Sequence, residues 1–218
     1  MPIITMDPEL QGRVRLAIFQ AEGITARGTS PELESDLADL TQRLSRAYAR
    51  PAEALALLQP ARELYRALGL DPTKNRPSSE ALVRRVIKGT GLYRINRVVD
   101  TCNLCSMRTA LSIGLYDTEV VRGPVGLRRG LEGEGYAGLG KDHVSVAGRY
   151  ALVDQDGPFG NPSSDSFRTR IREETTACTF VIFAPATYAE TRLQAELDDC
   201  AQRMVRYNQG RVTRQEIV

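Results

Sequence analysis

The chain has 218 residues, 42% hydrophobic and 26% charged, the balance of an ordinary globular protein with one sizeable core. A formal net charge of +2 is too small to make nucleic acid a partner of the whole surface, and no run approaches the roughly 18 apolar residues of a membrane span. Four cysteines do not make a disulfide framework in a chain this long, and MPIITMDPELQGR lacks the basic and apolar regions of a secretory signal, so a cytoplasmic protein is expected.

In chain order, RVRLAIFQ alternates Val14, Leu16 and Ile18 against Arg13, Arg15 and Ala17, the period of a strand. Ser30 and Pro31 read as the cap and first residue of a helix over 31–49, with Leu33, Leu37, Leu40, Leu44 and Tyr48 at helical spacing. Pro51 opens another helix, which Pro60 must break or restart, because proline lacks the backbone donor. DPTKNRPSS is a loop. Ser79–Lys88 is expected to be a short helix burying Leu82, Val83, Val86 and Ile87, ended by Gly89, and 101–109 another helix capped by Asp100. From 110 to 153, SIGLYD, EVVRG, YAGLG, HVSVAG and RYALVD read as short strands joined by turns; Thr179–Phe183 is one more. Thr187 and Glu190 match a capping box for a final helix striped by Leu193, Leu197, Cys200 and Met204. This order implies α+β layers, with no internal repeat.

Three chemical motifs are set aside. Gly133–Gly138 has dinucleotide spacing and Gly135–Lys141 resembles a phosphate loop, but both need a buried strand before the glycines and a helix after them; DHVSVAGRY instead reads as β, and the glycines as turns. Cys102-Asn-Leu-Cys105 has redox or zinc spacing, but Asp100 opposes a thiolate and Cys178 and Cys200 have no close ligand neighbour, so buried apolar cysteines are expected and no metal. His143 is the only histidine and sits in a strand with Asp142 on the opposite face, a surface or core histidine rather than part of a triad. No cofactor is implied.

Polar residues concentrate in two otherwise apolar places. Arg94, Asn96, Asp100, Thr101 and Asn103 form one set; Gly157, Gly160, Asn161, Ser163, Ser164, Asp165, Arg168 and Thr169 form the other. Hydroxyls, amides and glycines suit a pocket for a polar small molecule or a nucleotide end, and arginine a carboxylate or phosphate. The same types also make turns, and the residues alone leave pocket and scaffold open. Between Asp71 and Arg97 a local basic face is available, with Lys74, Arg76, Arg84, Arg85, Lys88, Arg94 and Arg97 against Asp71 and Glu80.

The segments SSEALVRRVIKG leading into INRVVD, DTCNLCSMRTALSIGLYD, and GNPSSDSFRTRI with Glu174, Thr175 and Thr176 behind it resemble the B3/B4 region of the phenylalanyl-tRNA synthetase β subunit, which also occurs as free-standing proteins. The likeness covers roughly residues 74–185. It implies a three-layer α+β core containing a β-sandwich of unusual topology, with N- and C-terminal helices outside. It divides the chain into an extension (1–70) packed on a B3/B4-like domain (71–218), a single compact unit overall. In the synthetase this region hydrolyses the ester of tyrosine wrongly joined to phenylalanine's tRNA. Carried over, Asn103 matches the pocket asparagine and Thr101 the threonine near it; Gly114 stands where the synthetase has a pocket histidine, and Val181 falls where a glutamate reads tyrosine's hydroxyl.

The expected substrate-binding set is therefore Arg94, Asn96, Thr101, Asn103, Gly114, Asn161, Ser163, Ser164, Asp165, Arg168 and Thr169, with Lys74, Arg76, Arg84, Arg85 and Lys88 for RNA. Asn103, Ser164 and Thr169 would position substrate and water, and Arg168 or the basic face would hold acceptor-stem phosphates. Partners would be tRNA or aminoacyl-tRNA, neither DNA nor membrane. An aminoacyl-tRNA hydrolase, a non-catalytic RNA-binding module and a small-molecule binder reusing the pocket stand as the readings; the oligomeric state is open.

Overall fold

A computed structural model describes Ile3 to Val218. In chain order these residues form β1 (Ile4–Met6), β2 (Val14–Glu22), α1 (Pro31–Ala47), α2 (Gln59–Ala67), α3 (Ser78–Ile87), α4 (Arg97–Thr109), β3 (Ser112–Asp117), β4 (Val125–Arg129), β5 (Gly135–Gly138), β6 (Lys141–Ser145), β7 (Tyr150–Asp154), β8 (Gly157–Asn161), β9 (Ser164–Asp165), β10 (Ala177–Pro185), α5 (Glu190–Asn208) and β11 (Arg211–Ile217).

Most of these follow from local chemistry. The Ser30 hydroxyl accepts a hydrogen bond from the Leu33 amide, and Pro31 opens α1. Pro60 restarts the chain at the first turn of α2, where its missing N–H costs nothing. Gly89 adopts φ 70° directly after α3 and its last carbonyls.

Four expectations are corrected. Asn96, not Asp100, caps α4, because the chain is already extended there and its Oδ1 takes the Val99 amide at 3.0 Å; Asp100 lies inside the first turn, buried, accepting from the Ile95 amide at 3.2 Å. EVVRG is a turn: the Asp117 carboxylate accepts the Glu119 amide and its carbonyl the Val120 amide, which curls the chain out of the sheet. The final helix begins at Glu190 after Ala189, so its cap lies two residues beyond Thr187 and makes no side-chain hydrogen bond. Gly135 and Gly138 lie within β5 rather than in turns, and the segment 157–169 contains β8 and β9.

Two sheets carry the core. The first has order β11-β2-β10-β3, antiparallel throughout. The second has order β1-β4-β7-β8-β9, with β1 and β4 parallel and the rest antiparallel; β5 and β6 form a separate hairpin. Both faces of the first sheet are covered, which explains the unbroken apolar run of β10. Phe19, Phe180, Ile182 and Leu115 pack on Val98, Cys105, Leu193, Leu197, Cys200 and Met204 of α4 and α5. Leu16, Ile18, Val181 and Tyr116 pack on Leu127, Leu152 and Phe159 of the second sheet and on Leu64 and Tyr65 of α2. Helices, sheet and sheet are the three layers, and the stripe of α5 is core. α1, α3 and α4 make a further apolar cluster beside them. Strand β2 lies between β11 and β10, inside the first sheet, so the first seventy residues supply an interior strand of the core.

Tyr116 sets the spacing between the sheets. A Cβ on Gly114 would stand 2.2 Å from the Tyr116 hydroxyl oxygen, and one on Gly160 of the opposite sheet 2.3 Å from it. The ring meets Phe159 edge-on at 4.9 Å. Gly114→Ala is expected to lower unfolding free energy by about 1–3 kcal/mol, the usual range for overpacking, read as a lower urea midpoint; an unchanged midpoint would mean that the ring has room to move.

Candidate functional site: a basic groove joined to a small polar pocket

Helix α3 presents Val83 and Val86 to α1 and α4, which turns Arg84 and Arg85 outward, followed by Lys88 at the helix end. Between this face, the loop after it and α4 lies a groove of about 640 Å³, lined among others by Arg76, Arg84, Arg85, Lys88, Asn103 and Ser163. A buried carboxylate anchors its cations. Glu80, 2% exposed, binds Arg62 at 2.7 Å, Arg84 at 3.3 Å and Arg76 at 3.9 Å. Three arginines around one carboxylate leave surplus positive charge, and a buried carboxylate is tolerable only when so paired. The Asn103 side chain forms no hydrogen bond with the described residues and faces the groove, available to a ligand.

A second cavity of about 280 Å³ adjoins, Ser78 and Ser163 lining both; Lys141, Asn161, Ser164 and Asp165 line the second. The turn between β8 and β9 builds it. Asn161 Oδ1 accepts the amides of Ser163 at 2.8 Å and Ser164 at 3.0 Å, and its Nδ2 donates to the Tyr136 hydroxyl at 3.0 Å. Tyr136 in turn donates to the Ser164 carbonyl at 2.6 Å, and the Tyr65 hydroxyl meets Ser163 Oγ at 2.7 Å. Asp165 is different. Its Oδ1 is shut off from solvent without a hydrogen-bond partner, as is the Tyr116 hydroxyl. Burial pushes the Asp165 carboxyl up to about 7. Tyr65, Tyr116, Tyr136 and Cys102 surround it and are themselves raised, chiefly by burial and further by its charge; Lys141 is the cation sharing its cavity.

The expected site residues divide between these cavities and the scaffold. Asn103, Asn161, Ser163, Ser164, Asp165, Arg76, Arg84, Arg85 and Lys88 line the two cavities. Arg94 is bound to Glu34 and to Asp100, and Asn96 is a cap. Thr101 is buried, donating to the Arg97 carbonyl and accepting from Asn208. Arg168 grips Asp154 with both nitrogens, at 2.8 and 3.0 Å, and Thr169 shares its hydroxyl with Ser166 at 2.8 Å. Lys74 is exposed on the loop before α3. Gly114 and Val181 are direct partners across β3 and β10, and Val181 is fully buried. Ser78, Tyr93 and Lys141 also line the cavities, although none was expected in the site; Lys141 ended the glycine segment set aside above, and only the packing of α3 and β6 reveals the placement. All four cysteines are free and buried, and His143 is on the surface. No group of metal-ligating side chains occurs among the described residues, and none of their helices is long and apolar enough to cross a membrane.

Fold and site together define an α+β protein of two packed sheets, with a cationic groove leading to a small polar pocket. The model of the B3/4 domain matches residues 60–214, most of the chain and more than the three sequence segments cover; the chain belongs to this family. Among solved structures, 99% of it aligns with 53% of an N-terminal fragment of the phenylalanyl-tRNA synthetase β-subunit from Pyrococcus horikoshii, at 11% identity and a TM-score of 0.45. The chain thus spans about half the length of that fragment. No curated protein matches it.

The raised Asp165 has a consequence for stability. Unfolded, the carboxyl ionises near its ordinary value of 3.8; folded, it keeps its proton to about 7. The native state then holds more protons in that window, so this group's contribution is complete below the lower value and is lost as pH rises through the higher. Asp165→Asn should match wild type in urea at pH 4 and exceed it increasingly up to pH 8. Parallel curves would show that Asp165 is ionised throughout.

Proposed function

We propose that the protein binds the aminoacylated end of a tRNA and hydrolyses its ester, releasing the amino acid. The observation that carries this is the adjacency of the two cavities: cations in an open groove suit phosphates, and a small pocket of hydroxyls, an amide and one carboxylate suits the aminoacyl group. Membership of the B3/4 family supports it. Residues 71–218 act as the B3/B4-like unit, with 1–70 completing its sheets, and the expected setting is the cytoplasm.

In the reaction, water attacks the ester carbonyl carbon, the bond to the ribose oxygen breaks, and that oxygen leaves with a proton. An aminoacyl ester is activated, so placement of ester and water accounts for much of the acceleration. Asn103 and Ser164 place the ester between groove and pocket. Asp165, as carboxylate, takes the proton of the attacking water, and the turn amides after Asn161 are already committed to its side chain. Thr169 supports the turn through Ser166 instead of touching substrate. Arg84, Arg85 and Lys88 hold phosphates; Arg168, committed to Asp154, does not.

A second reading, RNA binding without turnover, is favoured by one feature. The two positions matching the synthetase's pocket histidine and glutamate face each other across β3 and β10 as Gly114 and Val181, and the Tyr116 ring fills the space beside Gly114.

A panel of correctly and wrongly charged tRNAs separates the two. Loss of amino acid from one species, abolished in Asn103→Ala and rising with pH through about 7, is the expected result; binding without turnover on any species supports the second reading. Arg84→Glu/Arg85→Glu should weaken tRNA binding and flatten its dependence on salt, since each lost phosphate contact reduces the slope by about one. Unchanged binding would remove the groove from the proposal.

A further inference from the structure

The rim of the groove carries a feature that phosphate binding does not use. Tyr93 lines the groove and is 71% exposed, and Ile95, two residues on, is 64% exposed. An exposed aromatic ring in the wall of a cationic cavity is open to contact with a ligand held there. The Arg85 guanidinium lies over the Tyr93 ring, 3.9 Å from its centre. That guanidinium is fixed in turn, donating to the carbonyls of Gly91 and Thr90, while the Thr90 hydroxyl donates to the Arg85 carbonyl at 3.0 Å. Gly89 and Gly91 hold positive φ, 70° and 67°, which folds the loop back on the end of α3. Further along, Arg94 is pinned to Asp100 at 3.1 Å. The loop is thereby tied down at both ends, and its aromatic ring is presented ready-made.

We infer that Tyr93, backed by Arg85, is a stacking platform for an unpaired nucleobase at the end of an RNA strand bound in the groove. A planar base adds to an existing guanidinium–ring stack, and such stacking tolerates any base because every base has a π face. Lys88, Arg84 and Arg76, lining the same cavity, supply cations within one groove's length for the attached phosphates. Binding to Tyr93 requires a strand end free of pairing; a duplex buries its base faces and cannot use the platform. The inference rests on the RNA-binding reading and adds to it the class of end that is held.

The test uses a short single-stranded RNA ending in fluorescent aminopurine, whose emission falls on stacking, with the full chain. Wild type should quench the terminal base and bind the single strand more tightly than the same strand ending in an abasic sugar. Tyr93→Ala should lose the quenching and about tenfold or more in affinity while keeping the same salt slope, because no phosphate contact is removed. Tyr93→Phe, which keeps the ring, should remain close to wild type. Unaltered quenching and affinity in Tyr93→Ala would overturn the platform and leave the groove's RNA binding standing. No binding of any RNA by wild type would overturn both. Since Tyr93 is exposed, an unchanged urea midpoint for both variants certifies the comparison.

Discussion

One ring sets the distance between the two sheets. Tyr116 crosses the interface with its hydroxyl oxygen where a side chain on Gly114 or on Gly160 would have to be, so two glycines on opposing strands are the condition for its presence. Its position has chemical as well as steric effects. Its hydroxyl lies beside the Asp165 carboxyl, and burial first and then the charge of Asp165 raise it. Burial pushes the Asp165 carboxyl up to about 7, and the Tyr116 hydroxyl and the Leu115 amide beside it oppose that rise only in part. The same packing that joins the sheets thus brings Tyr116 against Asp165, the carboxyl of the small pocket.

The groove is built on the opposite electrostatic logic. Glu80 is also buried but has three arginine partners, and its role is to fix the positions of Arg76 and Arg84 along the wall. Arg85 is held by backbone carbonyls and by Tyr93. Groove cations are thus pre-placed, which lowers the conformational cost of meeting an anion. Larger and cationic on one side, smaller and lined by hydroxyls, an amide, Lys141 and Asp165 on the other, the two cavities differ enough to hold two chemically different parts of one ligand.

Much of the fold was legible because it rests on periodicity. The alternation of β2, the leucine stripe of α1 and the unbroken apolar run of β10 each report a face or faces that are covered. Caps were less legible: Asn96 and Asp100 are both good caps, and the choice depended on where the chain enters α4 after contacts with α1. Strands β8 and β9 were hidden by Gly157, Pro158 and Gly160, residues that favour turns, although Gly160 here makes room for Tyr116. In the site, residues brought together by one turn or one helix could be read in advance, as with Ser163, Ser164 and Asp165 or Arg84 and Arg85. Arg168 and Thr101 could not be assigned to scaffold beforehand, because their partners, Asp154 and Asn208, are distant in sequence. Tyr93 and Lys141 needed the fold to reach the cavities at all.

The most direct measurement is a crystal structure with a non-hydrolysable amide analogue of an aminoacylated RNA end. Phosphates against Arg84, Arg85 and Lys88, with the aminoacyl group between Asn103 and Asp165, would be the expected arrangement. The same ligand lodged elsewhere, with these two cavities empty, would contradict it.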